Sequence, residues 1–139
     1  MRWRHASRGV LAPADFIAAA EETGCIIPIG IWVLEEACSE AASWKAPLTI
    51  AVNISPVQFL MPNLVEQFSQ ILAKTGLQPD RLELEITETA LFRDRAAVLS
   101  TLGQLRAMGI RVVLDDFGTG YSSLAHLRDF PFDKLKIDR

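Results

Sequence analysis

Four segments of this chain alternate apolar and polar residues, and each carries a metal-friendly or ionisable side chain near its C-terminal end. They are Thr49–Asn53, Leu82–Glu88, Arg111–Asp116 and Lys134–Asp138. Alternation with period two is the pattern of a β-strand with two unlike faces. Helical stretches separate the four, so the strands are expected to run parallel. Polar groups gathered at the C-terminal ends of parallel strands describe the active face of a barrel or an open α/β sheet.

The intervening segments support this. Pro13 suits the first turn of a helix over Asp15–Glu22, stopped by Gly24. A second helix is expected from about Gly30 to Trp44, with Val33, Leu34, Ala37, Cys38, Ala41 and Trp44 on one face. The strand Thr49–Ile54 follows, then a helix bearing Leu64, Phe68, Ile71 and Leu72 that Gly76 closes. Strand Leu82–Thr87 leads to a helix capped near Asp94 and ended by Gly109. Strand Arg111–Asp115 leads through Phe117–Gly120 to a short helix around Ser123–Leu127, and Leu135–Asp138 is the last strand. The fold class is therefore α/β, an incomplete TIM-like (β/α)₈ barrel. A closed barrel takes ~200–250 residues, and the chain has 139. Arg2-Trp3-Arg4 reads as the tail of a strand that begins upstream, and Leu135–Asp138 as a strand with an open edge.

Composition excludes several classes. A net charge of −3 and a pI near 5.4 argue against a general binder of DNA or of membrane surfaces. The longest apolar run, Cys25–Leu34, contains Pro28 and is far short of the ~20 residues of a membrane span. No secretory signal precedes the first helix. Cys25 and Cys38 lack metal-type spacing and sit among apolar residues, which predicts two reduced, buried thiols in a cytoplasmic protein. Trp32 and Trp44 are expected in the core, and His5 and His126 in structural or exposed positions.

Alternation places Asn53, Glu85 and Asp115 on the strand faces opposite the apolar residues. If those faces line a barrel, the three converge at its rim. Clustered carboxylates repel one another and lose hydration, and a hard divalent cation relieves both costs. Oxygen ligands suit Mg²⁺, Mn²⁺ or Ca²⁺ better than Zn²⁺. Asp115 and Asp116 together could reach two ions, and an inward Lys136 could orient a water or neutralise a substrate anion. Each residue also has a plain structural use. Asp-Asp before a glycine loop is a common turn or cap device, Glu83 and Glu85 suit a solvent face, Asn53 suits a turn, and Lys136 suits a surface. Polar groups at corresponding ends of four strands favour a site. Gly118-Thr119-Gly120 lacks the length of a dinucleotide-binding loop and reads as a loop over that site or as a turn.

In combination, several stretches resemble the EAL domain of bacterial cyclic-di-GMP phosphodiesterases along essentially the whole chain. They are Arg2–His5, Pro13–Ile17, Ala20–Gly24, Val52–Pro56, Leu84–Glu88, Asp115–Leu124 and Lys136–Arg139. The resemblance implies a modified (β/α)₈ barrel that hydrolyses cyclic-di-GMP to linear pGpG with Mg²⁺ or Mn²⁺. By position, Asn53, Glu85 and Asp115 correspond to ligands of a first metal, and Asp116 to a ligand of a second. Lys136 is similar to a lysine that contacts the attacking water. Glu88 matches a glutamate that steadies the loop Phe117–Tyr121 and couples dimerisation to activity, and Arg2 matches an arginine that contacts a substrate phosphate. A homodimer of the full-length protein is implied, with room for fused sensory or GGDEF domains.

The Glu-Ala-Leu triplet that names this family is expected just before Arg2, where only Met1 stands, and a further glutamate and a glutamine are expected after Arg139. The chain therefore reads as a partial domain of marginal stability with little hydrolysis by itself. Two other functions compete. One is a non-catalytic module that binds cyclic-di-GMP or docks a protein. The other is a barrel of the enolising type, whose acidic ligands and inward lysine would serve proton abstraction.

Overall fold

The computed structural model describes residues 1–87, 90–91, 94–117, 130 and 132–137. The chain opens on an antiparallel ribbon of β1 (Trp3–His5) and β2 (Gly9–Leu11). The His5 Nδ1 accepts the N–H groups of Ser7 and Arg8, both at 3.2 Å, and so shapes the turn between them. Arg2-Trp3-Arg4 thus runs into a separate two-stranded ribbon, apart from the parallel sheet. A 3₁₀ turn at Pro13–Asp15 leads into α1 (Ile17–Glu22), and Gly24, at φ 75°, ends that segment in the left-handed region.

Helix α2 spans Ile26–Ala42 and starts four residues before the expected Gly30. Pro28 is no obstacle there. It falls in the first turn, where backbone N–H groups have no partner within the helix. β3 (Ile50–Asn53) is followed by a 3₁₀ turn at Gln58–Leu60 and by α3 (Leu64–Thr75), which Gly76 closes at φ 73°. β4 (Leu82–Thr87) leads to α4 (Arg95–Ala107), where the Asp94 carboxylate accepts the Ala97 N–H at 3.1 Å as a helix cap. β5 (Arg111–Phe117) runs two residues beyond the expected end, and β6 is Lys134–Ile137. The expected helix near Ser123–Leu127, with His126, lies outside the described residues, as does Asp138.

The four strands form one parallel sheet in the order β3-β4-β5-β6. Helices cover one face of it. Leu34, Cys38 and Ala41 of α2, Phe68 and Leu72 of α3, and Leu102 and Leu105 of α4 enclose Leu82, Leu84, Ile86, Val112 and Leu114. The fold is α/β as expected, with an open sheet. At its β6 edge the apolar side chains stay in water, with Leu135 41% and Ile137 74% exposed. Two expectations fail. Cys25 is exposed, because it stands at the turn preceding α2 rather than on its packed face, while Cys38 is buried and burial pushes its thiol up to about 11. Trp32 is 59% exposed on the outer side of α2, whereas Trp44 packs against the core.

Asp133 joins the last two strands. Its Oδ2 accepts the Val112 N–H at 2.8 Å, the Arg106 guanidinium grips both its oxygens, and its own N–H donates to the Val112 carbonyl at 2.8 Å. Burial raises the pKa of this carboxyl, but Arg106 and the Val112 N–H outweigh burial and hold it below its ordinary 3.8. A lowered pKa stabilises the fold fully above the unfolded value and loses that effect as pH falls through the folded value. Asp133→Asn is therefore expected to cost about 1 kcal/mol at pH 7, a figure reduced for partial exposure. Urea melts from pH 7 to 2 check this: the difference between variant and parent should shrink below about pH 4. A difference independent of pH would show that the charge contributes nothing.

Candidate active site

The strand register determines which side chains meet. Asn53 stands beside Glu85, Glu85 beside Val113, and Thr87 beside Asp115. Because faces alternate along a strand, Asn53, Glu83, Glu85, Val113 and Asp115 share the face of the sheet opposite the helices. The solvent-face reading of Glu83 and Glu85 does not hold, since each is only 7% exposed. Cations offset their burial. Lys134 donates to Glu83 at 2.5 Å with Arg111 3.7 Å away, and Lys136 donates to Glu85. The Lys136 ammonium also lies 3.9 Å from Asp115. The Glu85 hydrogen bond, with attraction from Asp115 and Glu83, holds the Lys136 pKa above its usual value against partial desolvation.

Asn53, Glu85, Asp115 and Lys136 are thus brought to one face, with a positive charge reaching two of the carboxylates. This donor set fits a hard divalent ion. It offers oxygens, one of them amide and the others anionic, and the Lys136 ammonium already pairs with Glu85 and lies 3.9 Å from Asp115. Among the described residues, no three His, Cys, Asp or Glu side chains already form a group able to hold a metal. Asp116 belongs to β5, but its side chain lies outside the described residues, as do Glu88 and the loop Gly118–Tyr121.

Asn53 opens onto a cavity of ≈ 410 Å³ walled by Glu21, Ile29, Val33, Ser55 and Gln58. Arg2 lines an adjoining cleft with Trp3, Asp15 and Phe16, and Met1 borders both. Arg2 thus lies in a cleft that adjoins the Asn53 cavity, and none of the described carboxylates of the sheet face lines either space. Residues around Asn53 were missed by spacing arguments. Ser55 Oγ donates to Glu21 at 2.6 Å, and Gln58 Oε1 accepts the Ser55 N–H at 3.0 Å. The local part had a signal, since Ser55-Pro56-Val57-Gln58 has the form of a capping box. Its tie to Glu21, 34 residues earlier, had none.

The EAL domain model matches residues 1–139. The chain belongs to the EAL domain family. An uncharacterized signaling protein of Caulobacter vibrioides is 54% identical over 139 residues, covering all of this chain and 17% of that protein. The bifunctional diguanylate cyclase/cyclic di-GMP phosphodiesterase MucR of Pseudomonas aeruginosa is 46% identical over 143 residues, covering all of this chain and 21% of MucR. The structure of the MucR phosphodiesterase in complex with c-di-GMP superposes with a TM-score of 0.92 at 45% identity, over 99% of this chain and 57% of that one. A calcium and c-di-GMP complex of BlrP1 from Klebsiella pneumoniae aligns with a TM-score of 0.78 at 30% identity, over 92% of this chain and 33% of that one. The EAL chain thus spans about a fifth of the curated relatives it matches. Among its described residues, no helix is long and apolar enough to cross a membrane.

Proposed function

We propose that this EAL chain carries part of the active site of a metal-dependent phosphodiesterase that opens cyclic-di-GMP to linear pGpG. The observation that carries the reading is the shared face of Asn53, Glu85 and Asp115, with the Lys136 ammonium between two carboxylates. MucR, which is named a cyclic di-GMP phosphodiesterase, and the calcium and dinucleotide complex of BlrP1 support it.

In this reading Asn53, Glu85 and Asp115 hold a first Mg²⁺ or Mn²⁺, and Asp116 a second. Bound cations would supply charge neutralisation at the phosphate and acidify a water at neutral pH. The chain's own residues do the rest. Lys136, hydrogen-bonded to Glu85 and 3.9 Å from Asp115, can turn its remaining N–H groups toward the attacking water and orient it in line with the scissile P–O bond. Arg2, from the adjoining cleft, pairs with a non-bridging phosphate oxygen and fixes the dinucleotide. Glu88 steadies the loop over the site and connects it to a homodimer of the whole protein, in which sensory or GGDEF domains would set the activity. The open four-stranded sheet leaves part of the site's wall to other segments, so the 139-residue chain alone is expected to hydrolyse little.

The test is chromatography of the products after incubating the natural protein that carries this sequence with cyclic-di-GMP and Mn²⁺. Release of pGpG that chelation abolishes is the expected result. Saturable binding in Ca²⁺ without any hydrolysis in Mn²⁺ would favour a non-catalytic cyclic-di-GMP module, and no binding at all would overturn both readings.

A further inference from the structure

Asn53 ends β3, and the backbone immediately after it is held from three directions. The Ile54 N–H donates to the Glu85 carbonyl at 2.9 Å, continuing the sheet one residue past the strand. The Ser55 N–H is taken by Gln58 Oε1, and the Ser55 hydroxyl accepts the Val57 N–H at 3.2 Å while donating to Glu21 on α1 at 2.6 Å. Gln58 is only 4% exposed, a buried amide of the kind that is retained where its hydrogen bonds are made. It lies against α2 at Gly30, where an added Cβ would fall 2.1 Å from its Nε2 and 2.6 Å from its Cδ.

A capping box alone would account for the Ser55–Gln58 exchange within the turn. It does not account for a hydroxyl bonded to a carboxylate on another helix, nor for a glycine inside α2 at the one place where the Gln58 amide needs its space. We infer that Glu21, Ser55, Gln58 and Gly30 form a polar clamp that fixes the turn after β3 and thereby aims the Asn53 side chain at the carboxylate face. These are positioning residues, and the inference rests on the reading of Asn53 as a metal ligand. Groups that orient ligands in this way are worth about 10–100-fold in metal affinity.

Two readouts besides turnover test the clamp in the natural protein: amide hydrogen exchange of peptides covering residues 50–60, and Mn²⁺ binding by calorimetry. Ser55→Ala and Gln58→Met, which keep the volume nearly constant, are expected to speed exchange across 53–57. Mn²⁺ binding should weaken about tenfold, with turnover recovering at saturating Mn²⁺. Gly30→Ala is expected to lower the melting temperature through its clash. Adding Gln58→Ala should restore the melting temperature but leave exchange fast and Mn²⁺ binding weak, which separates positioning from mere stability. If Gln58→Met and Ser55→Ala leave exchange and Mn²⁺ affinity unchanged in a protein that binds Mn²⁺, the clamp is wrong and the metal site stands. If the unaltered protein binds no Mn²⁺, the metal reading fails, and with it the claim that the clamp serves a ligand.

Discussion

Glu85→Gln is expected to reduce cyclic-di-GMP hydrolysis by about 10²–10³-fold, the equivalent of roughly 3–4 kcal/mol of lost charge stabilisation at the phosphate. The substitution keeps the shape of the side chain and one carbonyl oxygen toward Lys136, but removes an anion from the face shared with Asn53 and Asp115. Stability should change little. The Lys136 side chain is 47% exposed and retains Asp115 within 3.9 Å, so its ammonium is not stranded in an apolar site. The informative pair of measurements is therefore Mn²⁺ affinity and melting temperature on the same sample. Loss of Mn²⁺ binding with a nearly constant melting temperature is the expected result. Unchanged Mn²⁺ affinity would remove Glu85 from the ligand set, and a collapse of the fold would make it a structural partner of Lys136.

The largest effect on stability is expected at Leu84, which is 0% exposed in the middle of β4, a strand bonded on both sides to β3 and β5. Leu84→Ala removes buried methyl groups and leaves a cavity that close-packed helices can only partly fill, at a cost of about 2–5 kcal/mol. Against a total of roughly 5–15 kcal/mol for a domain, that is enough to shift urea unfolding well below the parent's midpoint. Ile137→Ala is the control. Ile137 is as apolar and also lies in a strand, yet it is 74% exposed, so its truncation should cost within about 0.5 kcal/mol. Equal losses at the two positions would mean that the β6 edge is covered in solution.

This pair of residues also shows where reading from sequence stops. Leu84 and Ile137 occupy equivalent places in alternating segments, and nothing local separates them. Their difference arises from which helices lie over each strand, a matter of contacts between residues far apart in the chain. The same holds for Cys25 and Trp32, both expected in the core and both found exposed, Cys25 because it stands at the turn before α2 and Trp32 because α2 turns only one side inward. The start of α2 differed as well: it lies at Ile26 rather than about Gly30, and a first turn tolerates Pro28. The site was more legible. Side-chain alternation follows from backbone geometry alone, so Asn53, Glu85 and Asp115 could be assigned to one face before any strand was paired.

Local signals were enough for the period of each strand, the glycine that closes α3 and the aspartate that caps α4, because propensity, capping and pleat act over a few residues. Long-range packing alone decided the burial of Glu83 and Glu85, the ion pairs that make it tolerable, and the bond from Ser55 to Glu21. Such pairings depend on strand register and on the docking of helices, whose free energy comes from contacts that a linear reading never brings together.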